Sequence, residues 1–190
     1  MAGIWTPFLK PKAQRQRADA LYRGLMTAAL SPEAYAADVV PDDMDHRVQM
    51  VSLHAAVLVW QLTQRPDKEL RHLPQLIHTR VFDGFDASLR ETGVGDASIA
   101  RKVRKMGEHY YGLGKSTAEA LSRPAEERVA ALEGILKRNG AATAGRELDL
   151  AQYLVAIASA FEMAAPEDFM SGGVPWPTFP ATSIPGVAKV

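Results

Sequence analysis

From Met44 to Leu62 the chain reads M-D-H-R-V-Q-M-V-S-L-H-A-A-V-L-V-W-Q-L, which carries two apolar stripes at helical spacing. Met44, Val48, Val51, Ala55, Leu58 and Leu62 make the first; Met50, Leu53, Val57 and Trp60 make the second. A helix that is apolar nearly all round has no face to leave in water, so it must stand at the centre of a domain. It does not read as a membrane span. The run from Val48 to Leu62 is interrupted by Gln49, Ser52, His54 and Gln61, and a bilayer needs roughly 20 apolar residues. Asp42 or Asp43 is placed to open this helix. His54, on its apolar side, is expected as a hydrogen-bonded core residue and not as a ligand.

The remaining elements read as helices that cover the central one. A chain of 190 residues is expected to fold as one domain and to bury roughly 70% of its unfolded surface. Pro11 marks a helix start, and Leu21, Leu25 and Ala28 with Tyr22 and Met26 form a stripe that fails at Leu30. Ser31-Pro32-Glu33 gives a cap, a first-turn proline and an acid favoured by the dipole; Val40-Pro41 then breaks that helix. Pro66-Asp67 is read as the end of the central helix and the cap of the next, where Leu70, Leu73, Ile77, Val81, Phe85 and Leu89 keep the period. Pro74 falls inside that pattern and predicts a kink or an earlier start boundary. Arg123-Pro124 opens a helix stopped by Gly140, and Leu148 to Met163 forms the last long one, ended by Pro166. No alternating run or Asn-Gly hairpin turn indicates a strand. The expected architecture is all-α: a single-domain bundle of about six to eight helices. Residues 1–18 form a tail or the start of the first helix, 19–170 the helical domain, and 171–190 an extended proline-rich tail with Trp176 and Phe179 lying along the domain.

Between Phe82 and Lys115 the pattern changes. Gly93 is where the preceding helix should stop, Gly95 permits a tight turn, and Asp96 is placed to cap the next helix. Arg90 and Glu91 are expected to hold that turn. Ile99, Val103, Met106 and Tyr110 form a seam that leaves Arg101, Lys102, Arg104 and Lys105 outward. Gly112 and Gly114 are expected to end this helix, with Ser116 to Leu121 a separate short turn. Tyr110 is expected in the core.

Chemistry is harder to find. Cysteine is absent, which removes disulfides, thiolate metal sites and cysteine catalysis together. G-L-G-K-S-T at 112–117 lacks the earlier glycine of a phosphate loop and follows a helix instead of a strand. The five histidines include no H-E-x-x-H pair. No catalytic, cofactor-binding or metal-binding residue is therefore assigned, and no cofactor is expected. Formal net charge is zero, so there is no global field for DNA, and any anionic partner must meet a local patch. Two such patches stand out. Trp5 and Phe8 precede Lys10, Lys12, Arg15 and Arg17, an arrangement that fits an anionic membrane surface or a tail tucked onto the domain. From Gly24 to His46 there is no Lys or Arg, while Asp42, Asp43 and Asp45 close an acidic run.

The segments L-Y-R-G-L, V-P-D-D-M-D-H-R-V-Q-M-V-S-L-H, F-D-G-F-D-A-S-L-R-E-T-G-V-G-D, V-R-K-M-G-E-H-Y-Y-G and V-P-W-P, in that order from Ala20 to Val174, resemble the ubiquinol–cytochrome c chaperone family. The resemblance implies a non-catalytic assembly factor that stabilises newly made cytochrome b for ubiquinol–cytochrome c reductase. Mitochondrial members work at the matrix face of the inner membrane, and the yeast member also acts at the mitochondrial ribosome with a small partner protein. The chain lacks the long amino-terminal extension of those forms and resembles a bacterial member, which implies a place in the bacterial cytoplasm, peripheral to the cytoplasmic membrane. On this reading Arg101, Lys102, Arg104, Lys105, Tyr111, Trp5 and Phe8 are candidates to meet client or membrane. Asp42, Asp43 and Asp45 are candidates to face the client's cationic loops. Two other classes remain open: a helical haem- or quinone-binding protein or small enzyme, using His54, Trp60, His109 and Tyr110, and an RNA-associated adaptor.

Overall fold

The computed structural model describes residues 6–91 and 96–180, and side chains from Lys12 onward except Asp96 and Ala97. Within them the chain forms eight helices and no strand: α1 (Thr6–Ala29), α2 (Pro32–Ala36), α3 (Met44–Gln64), α4 (Leu73–Glu91), α5 (Asp96–Leu121), α6 (Ala125–Asn139), α7 (Glu147–Met163) and α8 (Pro166–Ser171). They form a single helical domain. Trp5, Gly93 and Gly95 lie outside the described residues, as do the side chains of Phe8 and Asp96.

α3 is the centre. Leu53, Ala55, Val57 and Leu58 are fully buried, and α1, α4, α5 and α7 pack around it. Asp43 opens the helix by accepting from the His46 amide at 2.9 Å. The same carboxylate holds the His46 ring, whose other nitrogen reaches the Gly140 carbonyl at 3.0 Å. These contacts tie the start of α3 to the end of α6. The side-chain pairs also fix directions. His54 meets Tyr153 and Gln61 meets Phe161, so α3 and α7 run parallel. Trp60 donates to Ser122 and Ala56 lies beside Gly114, so α3 and α5 are parallel as well. Arg80 pairs with Asp19, and Gly84 faces Tyr22, which aligns α1 with α4.

Several boundaries differ from the sequence reading. α1 begins at Thr6, ahead of Pro11, because Pro7 occupies the first turn, where a missing amide costs nothing. Ser31 does not cap α2 with its side chain; its hydroxyl turns to the Glu33 carboxylate. α4 starts at Leu73 and not at Asp67, so its boundary lies later, and Pro74 falls in the tolerated first turn. Gly112 and Gly114 do not end α5, which continues to Leu121 and absorbs residues 116–121. With buried Leu113 between them and buried Thr117 in the next turn, tertiary burial outweighs roughly 1 kcal/mol per glycine. Pro166 opens α8 instead of only ending α7. Beyond α8 the chain is irregular through residue 180, and Val174 and Phe179 are buried against the bundle. Trp176 lies over Gly24 and edge-on to Phe161, with ring centroids 4.8 Å apart.

Candidate functional site

α5 carries most of the exposed candidate residues read from the sequence, Arg101, Lys102, Arg104, Lys105 and Tyr111. Its inner side carries Ile99, Tyr110, Leu113, Ala120 and Leu121, all buried, with Val103 and Met106 half-buried. The expected seam is therefore present but shallower at its basic end. Arg101, Lys102, Arg104 and Lys105 are exposed. Arg104 pairs with Glu108 at 3.0 Å one turn on, whereas Arg101, Lys102 and Lys105 have no ion pair among the described residues. Exposed helix pairs of this kind contribute only about 0.3–0.5 kcal/mol, so the basic face is free to exchange its solvent for a partner.

Beside that face, where α4 and α5 meet the second half of α3, a groove of about 290 Å³ opens. Ala56, Val59, Trp60 and Thr63 of α3, His78 of α4, and Tyr110, Tyr111, Gly114, Lys115 and Ala118 of α5 line it. Its walls are aromatic by construction. His78 Nδ1 and the Tyr110 hydroxyl are 2.6 Å apart, and Phe82, Phe85, Tyr110 and Tyr111 meet in edge-on or tilted pairs. Burial pushes the Tyr110 hydroxyl up and the His78 imidazole down from their ordinary values, so both stay neutral near pH 7. Phe82 can approach α5 because residue 107 is glycine: a Cβ there would stand 3.0 Å from the Phe82 ring. Tyr111, 55% exposed, stands at the rim. The groove is thus walled mainly by apolar and aromatic side chains, with Lys115 as its one charged member.

The other candidate residues are placed as follows. Asp42 is held by Arg47 at 2.7 Å, and Asp43 by the amide and ring of His46, which draws both carboxyls below their ordinary range. Asp45 is exposed. Because α3 and α5 are parallel and Ser88 reaches Met44, the acidic start of α3 and the basic start of α5 lie at the same end of the bundle. Arg90 pairs back to Asp86 at 2.8 Å, and Glu91 is exposed. His54 is fully buried, with Nδ1 on the Met50 carbonyl at 2.7 Å and Nε2 near the Tyr153 hydroxyl at 3.3 Å; burial pushes its pKa down to about 4. It faces α7 and Trp176, away from the groove. The haem- or quinone-type pocket therefore does not assemble as read: Trp60 and Tyr110 share the groove, but His54 and His109 are not in its lining. Among the described residues no group of three or more His, Asp or Glu stands close enough to hold a metal ion.

Val59, Thr63 and Ala118 carry no sequence reading, and His78 and Lys115 enter it only through motifs that fail, the missing H-E-x-x-H pair and the incomplete phosphate loop. The available signal was weak: His78 precedes Phe82 by one turn, and Ala56, Gly114 and Ala118 are small residues whose close approach only the parallel packing of α3 and α5 creates.

A sequence model described as Ubiquinol-cytochrome C chaperone matches residues 39–178. The chain belongs to this family. The matched span contains the whole of α3, α4 and α5, and so the groove and the basic face. Among solved structures the chain is similar to the crystal structure of the Cbp3 homolog from Brucella abortus, with 25% sequence identity and a TM-score of 0.76 over 90% of this chain and 94% of that one. No curated protein matches it. Among the described residues no helix is long and apolar enough to cross a membrane.

Proposed function

We propose that this family member is a non-catalytic chaperone that binds newly made cytochrome b during assembly of ubiquinol–cytochrome c reductase, working in a bacterial cytoplasm against the inner face of the membrane. The observation that carries this reading is an aromatic groove beside a cationic face on α5 in which Arg101, Lys102 and Lys105 have no ion pair among the described residues. A nascent membrane protein offers apolar side chains flanked by charge. The groove accepts the former, and Arg101, Lys102, Arg104 and Lys105 meet anionic groups beside them. Tyr111 at the rim supplies a flat amphipathic contact at little entropic cost. Of the acidic trio, Asp42 and Asp43 are occupied within the fold, so a role toward cationic client loops rests chiefly on Asp45.

The test is genetic. In a deletion strain, mature cytochrome b in the membrane should fall sharply while its transcript persists, and the chain restored with an intact groove should recover it. Undiminished cytochrome b in the deletion strain removes the proposal. A Soret band in the purified protein would favour a haem-binding function in its place.

A further inference from the structure

A second cationic cluster lies at the end of the bundle away from the α5 face. Alignment of α1 with α4 brings Ala13, Gln14 and Arg17 against Lys68, Glu69 and His72, in the turn before α4. These residues wall an open cavity of about 370 Å³. Its single carboxylate, Glu69, is held by Arg17 at 3.3 Å. Lys68 has no ion pair among the described residues, and neither do exposed Lys12, Arg15 and Arg71 close by in the same two segments. The first eighteen residues contain Lys10, Lys12, Arg15 and Arg17 and no acid. Over residues 6–17 and 67–72 together the cations are Lys10, Lys12, Arg15, Arg17, Lys68 and Arg71, against Asp67 and Glu69, a formal charge of +4.

The two cationic regions are well separated. Gly107 packs on Phe82 and Tyr110 on His78, so α5 runs antiparallel to α4 and carries Arg101–Lys105 to the far end of it. α4 has 19 residues, which at 1.5 Å per residue places its ends about 27 Å apart.

We propose that the cavity between α1 and the α3–α4 turn binds the phosphate of an anionic phospholipid headgroup, seating this end of the bundle on the membrane and leaving the α5 face turned away from it. The proposal rests on the membrane-peripheral part of the functional reading, but not on the identity of the client. The cavity suits a tetrahedral anion: Arg17 brings a fork of N–H donors from one side, and Lys68 and His72 bring point donors from the other. The surrounding unpaired cations match a surface of repeated single negative charges. Ile4, Trp5 and Phe8 stand just ahead of these cations in the chain, residue types that enter the headgroup layer.

The experiment is flotation of the purified full chain with phosphatidylcholine vesicles containing or lacking 30% phosphatidylglycerol. The variants are Lys68→Glu with Arg71→Glu, Arg17→Gln, and the fourfold reversal on α5. Capture should require phosphatidylglycerol and weaken steeply with salt. It should fall about 100-fold in the Lys68/Arg71 variant and several-fold in Arg17→Gln, with helix content unchanged, while the α5 reversal leaves it near wild type. Equal capture by neutral vesicles, full capture of the Lys68/Arg71 variant, loss of capture on reversing α5, or binding of RNA or free inorganic phosphate by these residues without vesicle capture would each overturn the assignment. Because the readout is vesicle capture, its failure leaves the cytochrome b test standing.

Discussion

α3 and α5 lie side by side and parallel, with 21 and 26 residues, yet they serve opposite ends. α3 is buried on nearly every side from Met50 to Leu62, and its buried polar side chains bond within the fold, except for the Gln61 amide oxygen, which has no partner. Ser52 bonds the Val48 carbonyl, His54 bonds Met50, and Gln61 reaches Phe161. α5 buries one side and leaves its basic side in water, with three cations unpaired among the described residues. The contrast separates stability from recognition. Beyond Met50, α3 reaches the surface chiefly at Val59, Thr63 and Gln64, the first two of which line the groove. α5 keeps unpaired charge beside that groove, which is what the proposed client contact uses.

Substitutions on the two helices should therefore fail in different assays. The largest effect is expected at Leu58, fully buried on α3. Leu58→Ala should cost about 3–4 kcal/mol of folding stability in urea titration, and client binding should be lost only with the fold. A cost below about 1 kcal/mol would mean that α3 is not the packed centre.

A pH experiment sharpens the same point. His54 is held neutral by burial, with its pKa pushed down to about 4, against about 6.5 in the unfolded chain. Between those values the unfolded chain binds more protons, so the contribution is complete above about pH 6.5 and is lost as the pH falls toward 4. From pH 7 to pH 5 the loss should be about 2 kcal/mol, measured by urea unfolding against a His54→Gln variant in which that part of the slope disappears. Equal slopes in the two proteins would show that His54 is hydrated or partnered differently.

The smallest stability effect belongs to α5. Reversing Arg101, Lys102, Arg104 and Lys105 to Glu, or changing Tyr111 to Ala, should move folding stability by less than about 1 kcal/mol. Both should nonetheless reduce crosslinking to cytochrome b in cells. If crosslinking is undiminished while stability holds, the basic face is only a solvated helix side.

Much of this contrast is written in residue spacing. Two apolar stripes on Met44–Leu62 require a central helix, and one stripe on Ile99–Tyr110 requires a half-wet one. The family is likewise carried by contiguous motifs. Helix ends were less legible. Gly112 and Gly114 look like stops because glycine disfavours a helix by roughly 1 kcal/mol, but burying Leu113, Thr117, Ala120 and Leu121 against neighbouring elements outweighs that local preference. Spacing places Asp42 or Asp43 at the start of the central helix, and Asp43 does cap it, but that Arg47 holds Asp42 and the His46 ring holds Asp43 is visible only in the structure.

The sequence by itself determined the all-α class, the identity of the buried helix and the cationic side of its neighbour, because helical periodicity is a local property of side-chain spacing. Only the tertiary structure decided that His78, Trp60 and Tyr110 wall one groove, and that Arg17 and Lys68 share a cavity. Those meetings depend on which helices run parallel, and that choice is set by the fit of distant surfaces against one another.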